Sequence, residues 1–221
     1  MSKTFKETDF KDLLRDIKLT SSDIFNTVYK YDIPIWDIRL EEIENDYKLP
    51  MFIHSFYSYI LLNKSIPTSD EFFTYYKELN KDFFKTNHYS SYLMIGLQAR
   101  CYRLYPSLVR EFHFTKIVQE CLMNKYKVIY NIDLDVREGI DMMLIKDNNF
   151  FGINLFVNTN YSNWARKDKK NRHDKYDNVT YVDSPISLNT IDTIKCGNFV
   201  LYGYNHYHEL INKIVVSNEI K

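Results

Sequence analysis

The hydrophobic period of this chain changes once along its length, and that change limits the possible folds more than any other feature. Up to about residue 105, apolar side chains recur at three- and four-residue spacings, the signature of helices that bury one face. Phe10, Leu13, Leu14 and Ile17 form one such stripe. Ser21 or Ser22 is placed to cap a helix carrying Ile24, Phe25 and Val28, and Pro50 opens the apolar segment MFIHSFYSYILLNK. Thr68 precedes Ser-Asp-Glu, so its hydroxyl and the Glu71 carboxylate can satisfy each other's backbone N–H in a capping box before Phe72, Phe73, Tyr76 and Leu79.

Beyond Pro106 the pattern predicts one more helix, capped by Ser107, with Leu108, Phe112, Ile117, Val118, Cys121 and Leu122 on an apolar face and Arg110, Glu111, Lys116 and Glu120 among its polar residues. The runs KVIYN, GIDMMLI and FFGINLFV then read as strands, and the KDNN between the last two reads as a hairpin turn. A polar helix is expected from Tyr161 to His173, followed by strands at VTYV and NFVLYG and a final helix from about His206. The expected class is mixed α/β (α+β): a helical region over residues 1–105, and a sheet flanked by helices over 106–221. No Gly-, Ser- or Pro-rich linker separates the two, so they are expected to form one compact unit.

Composition excludes several classes of function. Five Gly among 221 residues leave no glycine-rich phosphate loop. Cys101, Cys121 and Cys196 are odd in number and lack ligand spacing, so neither a disulfide framework nor a zinc site is indicated. No apolar run approaches the length of a membrane span or a signal peptide's core, which leads to the expectation of a cytoplasmic protein with no membrane partner. Lys+Arg and Asp+Glu both number 29, so no global field steers the chain toward a polyanion. Locally, however, residues 91–176 carry 14 basic against 9 acidic side chains, a net of +5.

Residues Ser107 to Lys170 resemble the core of the PD-(D/E)xK, or restriction-endonuclease-like, superfamily: a helix bearing a Glu, then a hairpin whose first strand carries a metal-binding Asp and whose second ends in a (D/E/Q)-x-K triplet. Gly139-Ile140-Asp141-Met142-Met143-Leu144-Ile145 looks like the first strand, which puts Asp141 on the family's metal aspartate. Glu111 or Glu120 would supply the helical acid. In Gly152-Ile153-Asn154-Leu155-Phe156-Val157, Asn154 stands at the second carboxylate and Phe156 at the catalytic lysine. The resemblance therefore implies either no cofactor or, if catalysis survives, Mg²⁺ bound at Asp141. A neutral amide oxygen binds Mg²⁺ far less well than a carboxylate, and a phenyl ring cannot activate water. Migrated groups are available in Asp133, Asp135 and Glu138 before the strand and in Lys167, Lys169 and Lys170 after it. A structural role for Asp141, paired with Arg137 or a nearby backbone donor, stands beside the metal reading.

The densest charge lies at Trp164, Arg166, Lys167, Lys169, Lys170 and Arg172, where five cations and an indole meet only Asp168. Such a mixture suits phosphate contact and base stacking, or the acidic face of a protein partner. Arg100, Arg103 and Arg110 would extend the patch if the fold brought them alongside. The six histidines show no metal-ligand spacing and are read as surface or capping residues. Three functions follow: a nucleic-acid-associated binding or assembly protein with a degenerate endonuclease-like core, such as a subunit of a phage, mobile-element or defence complex; an active Mg²⁺-dependent DNA or RNA endonuclease with displaced residues; or a module that only binds other protein subunits.

Overall fold

The computed structural model describes residues 3–157, 176–186 and 193–219. The fold is mixed α and β, and the chain divides into two compact units. One unit takes Met1–Ser21, Glu111–Ile194 and Leu201–Lys221; the other takes Ser22–Arg110 and Lys195–Val200. The first 21 residues thus count with the sheet rather than with the helices that follow them.

The helical unit holds most of α1 (Ser21–Val28), then α2 (Glu41–Glu44), α3 (Phe52–Asn63), α4 (Ser69–Leu79), α5 (Lys81–Thr86) and the first two thirds of α6 (Ser91–Leu122). The capping box forms as expected: Glu71 N–H donates to Thr68 Oγ1 at 3.2 Å, and Thr68 N–H donates to Glu71 Oε2 at 2.7 Å. Phe56, Phe72, Tyr76 and Tyr105 are buried and meet ring to ring, with Phe56 and Phe72 edge-on at 5.7 Å. Burial of aromatics at this density is the dominant favourable term for a helical unit.

Two local expectations fail. The Phe10–Ile17 stripe does not form a helix; the chain makes 3₁₀ turns at Glu7–Asp9 and Leu13–Asp16, and Leu13 N–H bonds Tyr130 O at 2.9 Å instead. Pro106 does not start a helix either, because α6 runs unbroken through it. Proline removes one helical hydrogen bond, and here the fully buried Tyr105 and Val109 on either side hold the helix together by tertiary packing.

In the sheet unit, β1 (Lys127–Ile129), β2 (Met142–Lys146), β3 (Asn149–Val157) and β4 (Val179–Ile186) form one sheet in that order. The first three strands are antiparallel, and β4 runs parallel to β3. Asp147 and Asn148 at the β2–β3 turn have φ of 48° and 62°, the left-handed pair that a two-residue hairpin turn requires. A helix that the strand reading passed over, α7 (Ile132–Glu138), precedes β2; Asn131 caps its start and Gly139, at φ 67°, ends it. Phe5, Ile129, Leu134, Ile140, Met143, Tyr176 and Val179 form the core on one side of the sheet. β5 (Thr193–Cys196) and β6 (Phe199–Tyr202) form a two-stranded sheet whose residues Lys195–Val200 belong to the helical unit, and α8 (Tyr204–Glu219) follows in the sheet unit. At the start of α8, Gly203 N–H donates to Nδ1 of the buried His206 at 3.1 Å, so this histidine caps the helix. Among the described residues, no helix is long and apolar enough to cross a membrane.

Candidate functional site

The hairpin brings Asp141 and Asn154 together. The last β2–β3 pair is Met142 opposite Ile153, and one step beyond it lie Asp141 and Asn154. Asp141 N–H donates to Ile153 O at 2.9 Å, and the Asp141 carboxylate accepts Leu155 N–H. The carboxylate therefore continues the strand ladder where the backbone of β2 leaves it. This is the backbone donor foreseen for a structural Asp141.

β4 adds a third polar residue. Asp183 is the register partner of Asn154, and Asn154 Nδ2 donates to Asp183 Oδ1 at 3.1 Å. Asn154 and Asp183, paired in register, point to the same face, and Asp141 lies opposite Asn154 one residue before β2, so the three form a row. The oxygen of the same amide, Asn154 Oδ1, is buried and has no hydrogen-bond partner. Asp183 also lines a cavity of about 370 Å³ between β4 and α8, together with Asn212 and Lys213. Sequence reasoning missed Asp183. The only signal was an acid inside the apolar stretch VTYVDSP, and parallel register cannot be read across a crossover.

The candidate helical acids stand elsewhere in the interaction pattern. Glu120, exposed near the end of α6, accepts Ser21 N–H at 2.7 Å and Ser21 Oγ at 2.6 Å, holding the first residue of α1. Glu111 is half-buried, and its backbone carbonyl accepts Thr115 Oγ1 at 2.7 Å. Glu138 is paired with Lys3, Asp133 with Arg137 at 3.3 Å, and Asp135 lies 3.5 Å from Tyr130 Oη. Phe156 is half-buried on β3.

The polar side expected for α6 is not a solvated face. Residues 112–118 are all buried, and Lys116 donates to Ile17 O at 2.6 Å and to Gln119 Oε1 at 3.1 Å. Burial lowers the Lys116 pKa from its ordinary value. His113 beside it is buried with Nδ1 unpartnered, and burial pushes its pKa down to about 4. The three arginines expected to widen a basic patch serve backbone carbonyls instead: Arg100 bonds Ile43 O, Arg103 bonds Ile38 O at 2.6 Å and pairs with Glu44, and Arg110 bonds Val200 O at 2.9 Å. Trp164, Arg166, Lys167, Lys169, Lys170 and Arg172 lie outside the described residues.

The residues present do not fit the Mg²⁺ centre that the resemblance implies. Mg²⁺ demands clustered hard oxygens in near-octahedral array. The row offers two carboxylates, each already holding a protein donor, and one neutral amide oxygen. Among the described residues, no group of three or more His, Cys, Asp or Glu side chains is placed to hold a metal ion. No family model, curated protein or solved structure matches the chain.

Proposed function

We propose that this chain is a nucleic-acid-associated binding or assembly protein whose endonuclease-like core has lost the groups needed to cut. The observation that carries this reading is the Asp141–Asn154–Asp183 row. A neutral amide stands at the register position opposite Asp141, and its nitrogen donates to Asp183. The order of helix α6, the β2–β3 hairpin and the Asp immediately before β2 supports the same reading, as does the cationic run Arg166, Lys167, Lys169, Lys170 and Arg172 in the sequence. A polyanion bound by those cations would be held through its phosphates, which position a protein without reading sequence.

One observation favours a second reading, an active endonuclease with displaced groups: Asn154 Oδ1 is buried and unpartnered, and the nitrogen of the same amide reaches a second carboxylate, Asp183. The two readings are separated by incubating the full chain with duplex DNA, single-stranded DNA and RNA in Mg²⁺ or Mn²⁺. The first reading expects salt-dependent gel shifts, no cleavage, and no Mg²⁺ binding tighter than about millimolar by calorimetry. Cleavage abolished by Asp141→Ala would replace it with the second. Absence of any gel shift at low salt would leave only a protein-binding role.

A further inference from the structure

In the helical unit, the loop over residues 31–39 has no regular secondary structure, yet its backbone is fastened at several points. Asn198 imitates a strand partner: Ile33 N–H donates to its Oδ1 at 3.0 Å, and its Nδ2 donates to Ile33 O at 2.8 Å. Gly197 N–H holds Tyr29 O at 3.1 Å, and the Arg103 guanidinium holds the carbonyls of Trp36 and Ile38 at 3.4 and 2.6 Å. At the tip of this fastened loop, Ile35 is 85% exposed. A single exposed aliphatic side chain is ordinary on a protein surface, so Ile35 draws its meaning from the apolar surface it adjoins.

Beside Ile35 lies a cavity of about 230 Å³ walled by Ile33, Pro34, Trp36, Tyr102, Pro106 and Phe199. Trp36 and Tyr102 meet edge-on at 5.4 Å, which fixes the indole as one wall. The volume is below the roughly 300–1,000 Å³ of small-molecule clefts, and with the exposed Ile35 among its lining residues the surface suits one anchoring side chain of a larger partner. The surrounding charge selects the partner. Asp37 lines the cavity, and exposed Glu41 and Glu42 line a separate, wider depression of about 740 Å³ with Asp46 and Lys48; with exposed Arg39 between them in sequence, residues 37–42 carry three acids against one base. Among the described residues, the cation lining the apolar cavity is Arg103, which is spent on Glu44 and the loop carbonyls.

We propose that this loop docks a short segment of a partner protein carrying an aromatic or aliphatic anchor next to lysine or arginine, the anchor entering the Trp36 cavity and the cations facing Asp37, Glu41 and Glu42. Carboxylates here repel phosphate, so the surface is distinct in chemistry from any polyanion contact. The fastened backbone is already ordered, which lowers the entropic cost of docking.

The test is selection of phage-displayed random dodecapeptides on the full chain. Enriched peptides should share an apolar or aromatic residue flanked by Lys or Arg. A synthetic copy of the leading sequence should change Trp36 emission in a Trp164→Phe background, where Trp36 is the sole indole. Ile35→Asp, at an exposed position that leaves the fold intact, should weaken that peptide at least tenfold. Asp37→Lys combined with Glu41→Lys and Glu42→Lys should weaken it comparably and abolish its salt dependence. No enrichment, enrichment of acidic peptides, or equal binding by Ile35→Asp overturns the proposal. So does a dimer in sedimentation velocity that Ile35→Asp converts to monomer, since the occupant would then be a second copy of the chain. None of these outcomes depends on whether the other unit binds or cuts nucleic acid.

Discussion

Asn154 and Asp183 face each other across the one parallel strand pair of the four-stranded sheet, and the amide of the first donates to the carboxylate of the second at 3.1 Å. The bond ties β4 to the hairpin through side chains, on the row where β2 ends and Asp141 takes over the ladder. Asp183→Ala would leave Asn154 with neither amide group satisfied. The expected loss is about 1–3 kcal/mol in urea unfolding, the usual cost of an orphaned buried polar group. Asn154→Ala in the same background should cost much less than it does alone, with a coupling of roughly 0.5–3 kcal/mol. Additive losses would show that the two side chains do not act as a pair.

Glu120 gives a prediction of the opposite kind, because the resemblance offers it as a catalytic acid while its geometry is that of a cap. Both of its oxygens are engaged by Ser21. Glu120→Ala should lower the melting temperature in line with the loss of a helix-start interaction, about 0.5–2 kcal/mol, and leave nucleic-acid binding unchanged. A variant of wild-type stability that fails to bind or cut nucleic acid would return Glu120 to the functional site.

Much of the fold was legible in the sequence because its signals are local. The Thr68–Glu71 box, the Asp147–Asn148 turn and the apolar runs of β2 and β3 each need only neighbouring residues to form. Asn131 and Gly139 are equally local signals for α7, but flanked by the β-formers KVIYN and GIDMMLI they read equally well as strand ends. What could not be read depends on distant partners. The continuity of α6 through Pro106 rests on burial of Tyr105 and Val109, and the pairing of Asp183 with Asn154 rests on a parallel register that no stretch of sequence encodes. Arg100, Arg103 and Arg110 read as a charge patch because a sequence shows cations but not the carbonyls they will hold.

Gly197 sits at φ +48°, and a Cβ there would lie 2.1 Å from Tyr31 O. Gly197→Ala therefore meets a steric clash as well as the left-handed penalty. The destabilisation should exceed about 2 kcal/mol, the upper end for an ordinary residue in that conformation. Because Gly197 and Asn198 fasten the loop that carries Ile35, the variant should also show altered Trp36 emission under native conditions. A stable variant with unchanged emission would mean that the loop is held without this turn.

His113 makes stability depend on acid in a window whose sign can be worked out. Burial disfavours the imidazolium, so the folded pKa falls from 6.5 to about 4. Below pH 6.5 the unfolded chain takes up a proton that the folded chain refuses. The unfolded state is then favoured progressively until the folded histidine also protonates near pH 4. Across that window the loss approaches about 3 kcal/mol, since each pKa unit corresponds to roughly 1.4 kcal/mol. Burial lowers the Lys116 pKa from its ordinary 10.5 as well. His113→Leu removes a ring whose Nδ1 has no partner to lose. Its urea unfolding free energy should therefore fall less than that of the wild-type chain between pH 7 and pH 4.5, by an amount close to the histidine contribution. Parallel losses in the two proteins would show that His113 protonates within the fold, and that the helix section around residues 112–118 admits water.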